Sequence, residues 1–449
     1  MPHTHDRPLR ILMLSTADTG GGAAEACHRL LEVFEQVPQV EVRMLVLNQR
    51  TSSSSTTSVA RSPLLKVIGR AFFLAERAEI YLKNGQSRRN LFRVSTARLG
   101  FDVSLHPWVK WADILHLHWI NQGFLSLPSL HRLARLGKPI FSTLHDLWAA
   151  TGICHLPLEF TSTGKKLCPR YELGCGRCPL LMSEDEQDLS HQILQKKSFL
   201  AQLPFRYIAV SQAEARLFEE SYLMKGRMKP SVLPNPIDLS LFSPWVTTRN
   251  EYPQWYSPKV KHYLVFVAAR LDDEVKGAHL LRRVCEEIKT QSPERAEELC
   301  LLLVGNIKNK ETFADFPIQT LPLGAIQDRH QLITLYNLSS VVLSTSIYET
   351  QGQTLVEGLA SGVAAMAFAC GGPEDIVVDG VNGYLIPAFD TELYAQRLLL
   401  LLSQREAGAF SKEACQASVQ SFGAKTIALQ LLSLYEYALT HPTQPEAKQ

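Results

Sequence analysis

The chain has 449 residues, 45% of them hydrophobic and 20% charged, and its formal net charge is +2. One hydrophobic core rarely supports that length, so two domains are expected, with the composition of a globular enzyme. Nothing in this balance calls for a nucleic-acid partner, and no apolar run approaches the length that spans a bilayer. Leu9–Ser15 is too short for the apolar part of a signal peptide and reads as a first strand, so the expected location is cytoplasmic. Nine cysteines, an odd number in a large chain, argue against a disulfide scaffold.

Short β-rich runs alternate with amphipathic helical stretches, the signature of parallel α/β layers. The first strand, Arg10–Ser15, runs into a turn containing Gly20, Gly21 and Gly22 and then a helix. Three glycines let the backbone approach a ligand, and a helix start favours an anion, but the G-x-G-x-x-G spacing of a dinucleotide site is missing. A tight strand-to-helix turn without ligand explains the glycines equally well. A second strand is expected at Val40–Leu47. The stretch 61–93 is then strongly basic around the apolar patch Ala71-Phe72-Phe73-Leu74. It reads either as an amphipathic helix lying on an anionic membrane or as a helical insertion packed on its own domain.

Further strands are expected at Asp113–His118, Pro139–Leu144 and Tyr207–Val210. His116 and His118 share one strand face, where such residues are more often satisfied cleft or core histidines than metal ligands. Ser142-Thr143-Leu144-His145-Asp146 ends the next strand. Adjacent residues on an extended chain point in opposite directions, so a His145–Asp146 base pair is not expected. Cys154, Cys168, Cys175 and Cys178 follow in a loop 154–178. A Cys-x2-Cys step with two further cysteines can form a tetrahedral structural zinc site, with reduced thiols or a disulfide as the alternatives.

The proline-rich segment after Leu233-Pro234-Asn235-Pro236 reads as a connector. A second strand series follows at His262–Ala269, Cys300–Val304, Ile318–Leu323, Val341–Thr345 and Val363–Phe368, with helices at Gly277–Lys289, Asp328–Leu338 and Gln353–Ala360. Two such units imply a cleft, a common ligand position. Arg270 and Lys276 fall beyond the carboxyl end of the first strand of this series, where ligands gather on open α/β sheets. A diphosphate suits them; a solvated loop with Arg270 paired to Asp272 or Asp273 is the alternative.

The most informative stretch is Glu349-Thr-Gln-Gly352-Gln353-Thr354-Leu355-Val-Glu357. A loop opening onto a helix offers free N–H groups and the positive end of the helix dipole to a phosphate. Glu349 stands before the helix and Glu357 about one turn inside it, both able to accept hydrogen bonds from sugar hydroxyls. A phosphate between two polyol-binding carboxylates describes a nucleotide-sugar.

Arg270…Lys276-Gly277, Leu-Val-Gly305, Leu-Gly324, the Glu349–Glu357 block, Gly371-Gly372-Pro373-Glu374 and Asp379-Gly380-Val381-Asn382-Gly383 occur in the order found in the family 4 retaining glycosyltransferases, which this chain resembles. The resemblance covers nearly the whole chain and is more specific in the second half. The Cys-rich stretch is similar to that of colanic-acid and other exopolysaccharide glycosyltransferases.

It implies a GT-B fold, two Rossmann-like domains with parallel sheets facing a cleft. The domains would be 1–235 on the acceptor side, a linker 236–258, a nucleotide-sugar domain 259–420, and a C-terminal helix 421–449 crossing back. By position, Arg270 and Lys276 would hold the donor diphosphate and Glu357 the ribose. Glu349 and His145 would contact the transferred sugar. Gly352 and the N–H groups of Gln353, Thr354 and Leu355 would bind the distal phosphate, with the Gly20–Gly22 loop facing the diphosphate. The family often has Glu-Ala where this chain has Glu357-Gly358, and Pro-Val where it has Ala364-Ala365; such departures leave both carboxylates in place.

The expected activity is hexosyl transfer from a nucleotide diphosphate-sugar to a glycan or polyprenyl-lipid-linked acceptor in exopolysaccharide assembly, with peripheral contact at the inner face of the membrane. No cofactor is expected for the transfer, because no paired-carboxylate Mg²⁺ motif is present. The rivals are a GT-B nucleotide-sugar epimerase and a catalytically silent sugar- or membrane-binding subunit.

Overall fold

The computed structural model describes residues 7–161, 164–202, 204–244 and 252–441. The chain divides into two units, one formed by residues 1–234 with 427–449 and the other by residues 235–426.

The first unit is built on seven strands: β1 (Leu9–Ala17), β2 (Val40–Asn48), β3 (Thr56–Ser58), β4 (Ile114–Leu117), β5 (Ile140–Leu144), β8 (Phe205–Ala209) and β9 (Ser231–Val232). They are ordered β3-β2-β1-β4-β5-β8-β9, and every neighbouring pair is parallel. Between β5 and β8 the chain forms a separate antiparallel hairpin, β6 (Leu158–Thr161) with β7 (Gly164–Leu167). Strands such as β4 are buried along their whole length. That is why their sequences read as continuous apolar runs rather than alternating ones: helices cover both faces of a parallel sheet. The helix Gly22–Phe34 buries Ala26, Cys27, Leu30, Leu31 and Phe34, a helical spacing that presents one face to the sheet.

The second unit holds β10 (His262–Arg270), β11 (Leu299–Asn306), β12 (Gln319–Gly324), β13 (Val341–Ser344), β14 (Ala364–Phe368) and β15 (Gly383–Ile386). Their order is β12-β11-β10-β13-β14-β15, again wholly parallel. In both sheets the order reverses beside the first strand of the series, between β1 and β4 and between β10 and β13. Such a switch point opens a crevice at the carboxyl ends of the strands.

One expectation needs adjustment. The segment 236–258 is not a free connector: Ile237 and Phe242 sit in the core of the second unit, with Trp255 and Tyr256 packed against it. Aromatic and β-branched side chains supplied burial that the proline content concealed; residues 245–251 lie outside the described residues. The helix Thr391–Glu406 buries Tyr394, Leu398, Leu401 and Leu402 in the second unit. Ile427, Leu431 and Tyr435, by contrast, join the core of the first unit beside β1 and β2.

The basic stretch folds as the helix Pro63–Lys83. Its inward side carries a buried ion pair, Glu76 with Arg77 at 2.5 Å, and the Glu76 carboxylate accepts the N–H groups of Thr96 and Ala97 at 2.7 and 2.9 Å. Leu64, Val67, Leu74 and Leu82 face solvent. Phe72 meets Phe101 edge-on at 5.4 Å. The stretch thus packs on its own unit, by polar anchors and by Phe72, and leaves several apolar residues outside.

Candidate active site

Lys276 and Glu349 come from loops after β10 and β13, the two strands that flank the switch point of the second sheet. The Lys276 ammonium lies 2.5 Å from Glu349 Oε1, and the Ser346 hydroxyl donates to the same oxygen at 2.7 Å. Backbone bonds hold the two loops in register. The Ile347 N–H donates to the Val275 carbonyl at 2.8 Å, and the Thr345 hydroxyl donates to the Gly277 carbonyl at 3.1 Å. Gly277 has φ +68°, and a Cβ there would stand 1.9 Å from the Thr345 oxygen. Only glycine lets the chain turn this tightly behind Lys276.

On the other side, Glu349 is pinned to the Gly371-Gly372-Pro373-Glu374 shelf. Its N–H donates to the Cys370 carbonyl at 3.0 Å, and its carbonyl accepts from the Gly372 N–H at 2.8 Å. A Cβ on Gly372 would meet Gln351 at 2.3 Å, so this glycine answers a close backbone approach. Gln351 in turn accepts the Asn235 N–H at 2.8 Å, tying the Leu-Pro-Asn-Pro segment to the same shelf.

Gly352 is the N-cap of the helix Gln353–Ala360, with φ 97°. The first N–H groups of a helix have no partner inside it and point outward with the positive end of the dipole. Those of Gln353 and Thr354 are placed this way, but the Leu355 N–H turns back onto the Gly352 carbonyl at 3.0 Å, and its side chain is buried. Glu357, also buried, receives the Tyr336 hydroxyl at 3.1 Å.

Arg270 is held by Asp272 through two bonds of 3.1 Å, the pairing that the sequence left open. That uses two of its five N–H donors and leaves three for another anion. Burial works to raise the Asp272 pKa, but the Arg270 guanidinium and the N–H groups of Lys308 and Asn309 outweigh it, bringing Asp272 to about 2. It is a permanent counter-charge that fixes the guanidinium.

In the first unit the glycine turn follows β1. Gly20 has φ +93°, and its N–H donates to Glu25 at 3.2 Å. Gly21 caps the helix that begins at Gly22. Buried Asp18 accepts the N–H groups of Arg50 and Thr51 at 2.9 and 2.8 Å, so the turn is locked to the end of β2.

His145 meets His118, Nε2 to Nδ1, at 3.0 Å, and His116 bonds Thr143 at 2.8 Å and the Tyr435 hydroxyl at 2.6 Å. Desolvation lowers His116 to about 3 and His145 to about 4, each with a neighbouring charge as a lesser influence. These imidazoles are neutral at pH 7, which disfavours a charged role. Asp146 pairs with His155 at 2.7 Å rather than with His145. His155 also meets Ser95 at 3.0 Å, but Ser95 is wholly buried. The series Ser95–His155–Asp146 therefore ties the Cys-rich loop to residues 93–95 and exposes no nucleophile.

The four loop cysteines are drawn into one neighbourhood: the Cys154 thiol feels Cys175, Cys178 and Cys168, and burial pushes it well up. Among the described residues, however, no three of their Sγ atoms lie within 4.8 Å of one another. A zinc set places each sulfur about 2.3 Å from the metal, so these thiols are gathered but not closed, and no step is drawn through a metal. Lys197 is buried beside them, its ammonium 3.5 Å from the Trp148 ring centre and donating to the Trp148 carbonyl at 2.6 Å. Burial brings its pKa down to about 7.

Sequence reasoning missed Ser346, Tyr336 and Lys197. Ser346, three residues before Glu349 in a loop, could have been suspected; Tyr336 reaches Glu357 from another helix and leaves no local signal.

Residues 248–416 match the family model Glycosyl transferases group 1, a span wholly inside the second unit. That unit is similar to group 1 glycosyltransferase domains. Spore coat protein SA of Bacillus subtilis is 26% identical over 275 residues, 52% of this chain and 70% of that protein. A D-inositol 3-phosphate glycosyltransferase of Nocardiopsis dassonvillei is 25% identical over 248 residues, 53% of this chain. The alignment with the latter spans only 56% of its length. The crystal structure of Anabaena HepE in complex with UDP and glucose superposes with a TM-score of 0.61 at 16% identity, covering 95% of this chain and 99% of that one. The fold is GT-B, two Rossmann-like units, as expected. The match to the group 1 model and relatives named as glycosyltransferases support the expectation of a hexosyltransferase.

Proposed function

We propose that this chain is a retaining glycosyltransferase. It moves a hexose from a nucleoside diphosphate donor to a glycan or polyprenyl-lipid-linked acceptor during cell-surface polysaccharide assembly. The observation that carries the reading is Lys276 held against Glu349 at 2.5 Å, at the switch point of the second sheet and beside the helix start at Gln353. UDP, as in the HepE structure, is the first donor nucleotide to test.

In the proposed reaction the acceptor hydroxyl attacks the anomeric carbon from the face that the diphosphate leaves. The carbon–oxygen bond to the phosphate breaks as the new glycosidic bond forms, and the acceptor proton passes to the departing phosphate oxygen. No side-chain base is needed. Lys276, the three remaining donors of Arg270 and the N–H groups of Gln353 and Thr354 stabilise the charge developing on the diphosphate, the electrostatic contribution expected to dominate. Glu357 accepts the ribose hydroxyls. Glu349 both orients Lys276 and accepts a sugar hydroxyl, and His145 contacts the sugar as a neutral imidazole, with the Gly20–Gly22 loop offering its backbone to the diphosphate.

Residence at the inner face of the membrane is part of the proposal, supported by the exposed apolar residues of the basic helix Pro63–Lys83; among the described residues no helix is long and apolar enough to cross a membrane. A structural zinc held by Cys154, Cys168, Cys175 and Cys178 would require their loop to tighten. Metal analysis of the protein with and without Cys175→Ser and Cys178→Ser tests it, and metal-free native protein rejects it. The transfer itself is tested by screening nucleotide-sugars for thermal stabilisation, then following release of nucleoside diphosphate with acceptor present. Stabilisation by no nucleotide-sugar would reject the reading.

A further inference from the structure

The first unit contains a cavity of about 860 Å³ that the proposed transfer leaves unassigned. It opens beyond the carboxyl end of β2, between that strand end and the first three turns of the helix Pro63–Lys83, where ligands of open α/β sheets gather. Its charged lining is Arg50, Arg61, Lys66 and Arg70, with no carboxylate, and Asn48 and Gln122 add neutral polar groups.

Among the described residues these cations have no carboxylate partner. Arg61 Nε donates to the Thr57 hydroxyl at 2.7 Å and Arg50 to the Thr19 carbonyl at 3.3 Å, both uncharged partners. Among the described residues the side chains of Lys66 and Arg70 have neither a hydrogen bond nor an ion pair. Buried Asp18, beside Arg50, is saturated by the Arg50 and Thr51 N–H groups and the Thr51 hydroxyl. The field reaches beyond the cavity: burial first, and then Arg61, lowers the pKa of His106. A concave site lined by one sign of charge concentrates counter-ions of the other sign. Four cations converging on one hollow are costly together without an anion, and the arginine forks suit phosphate geometry.

We infer that this cavity binds a phosphate or diphosphate group of the acceptor, so that the acceptor is anionic. The inference rests on the proposed transferase reading for the word acceptor, whereas the anion site stands on the cavity alone. The phosphate arrives either on a soluble phosphorylated saccharide or on a lipid headgroup. The apolar residues Leu64, Val67 and Leu74 exposed on the same helix make the lipid-borne form worth testing separately.

Inorganic pyrophosphate is the probe, titrated calorimetrically into the full chain at low salt. The wild type is expected to bind at two sites, here and at Arg270 and Lys276. Lys66→Ala/Arg70→Ala, two exposed positions whose loss leaves no partner unsatisfied, should weaken one of them about tenfold or more. Arg270→Ala/Lys276→Ala should weaken the other. Melting curves establish that the variants are folded, and Lys66→Glu provides a second variant with the same expected loss. A titration unchanged by both Lys66→Ala/Arg70→Ala and Lys66→Glu overturns the inference. If instead Arg270→Ala/Lys276→Ala leaves both sites intact, the donor reading fails while the cavity stands.

Vesicles of phosphatidylcholine with and without phosphatidylglycerol locate the source. Binding to the anionic vesicles that falls in Lys66→Ala/Arg70→Ala places the phosphate on a lipid. Pyrophosphate binding without vesicle binding places it on a soluble saccharide.

Discussion

Replacing Lys276 by alanine separates what this residue does for the fold from what it does for the reaction. Its ion pair with Glu349 is partly exposed, with side chains 30% and 18% accessible. Pairs of that kind contribute about 1 kcal/mol or less. Glu349 keeps the Ser346 hydroxyl as a partner, so the melting temperature should fall by only a few degrees. Turnover should respond far more. A preorganised cation facing charge that develops only in the transition state is worth about 10²–10³ in kcat, or roughly 3–4 kcal/mol. The loss should appear mainly in kcat, because the diphosphate gains charge as it departs. Lys276→Arg should recover part of it, since the charge returns in a planar fork that does not reproduce the ammonium. Nucleoside diphosphate release under saturating donor and acceptor measures the effect. Glu349→Gln combined with Lys276→Ala then asks whether the carboxylate only positions the lysine. An additional loss in the double variant shows that Glu349 touches sugar. Turnover of Lys276→Ala within about threefold of wild type would refute the reasoning.

Gly277→Ala should destabilise the second unit by several kcal/mol, because a Cβ at φ +68° would stand 1.9 Å from the Thr345 oxygen; chemical denaturation checks it, and a loss below about 1 kcal/mol contradicts the packing described. Tyr336→Phe should cost about 1–2 kcal/mol of stability by removing the Tyr336 hydroxyl bond to the buried Glu357, and should weaken donor binding, read as a smaller donor-induced thermal shift. Acid should unfold the first unit early. His116 and His145 are lowered to about 3 and about 4 from an ordinary 6.5, so below pH 6.5 the unfolded chain binds protons that the native one refuses. Stability is then complete above about pH 6.5 and falls toward pH 4, by up to about 1.4 kcal/mol per pH unit for each histidine. A stability flat from pH 7 to about 4.5 would contradict the neutral cluster, and His118→Asn should flatten the slope in part.

The strands were legible because a parallel sheet buried on both faces demands unbroken apolar runs, and β1, β10 and β14 supply them. The donor-side residues were legible for a different reason. Ligands of this sheet type collect where β10 and β13 end, so Arg270, Lys276 and Glu349 had to fall within a few residues of those ends. What stayed hidden depends on contacts distant in sequence. Asp272, the partner of Arg270, is itself set by the N–H groups of Lys308 and Asn309; periodicity carries no trace of that. The packing of Ile237 and Phe242 was masked by prolines beside them. Likewise the cavity over Arg50, Arg61, Lys66 and Arg70 joins a strand end to a helix through turns that composition alone renders as a basic stretch.

The central claim is transfer with retention, and one measurement addresses it directly. The protein is supplied with a donor that stabilises it and with candidate phosphorylated acceptors, and the products are followed by NMR. The account predicts one nucleoside diphosphate released per sugar transferred, release that depends on acceptor, and an anomeric configuration matching that of the donor. An inverted product, or an isomerised nucleotide-sugar formed without acceptor, would contradict it.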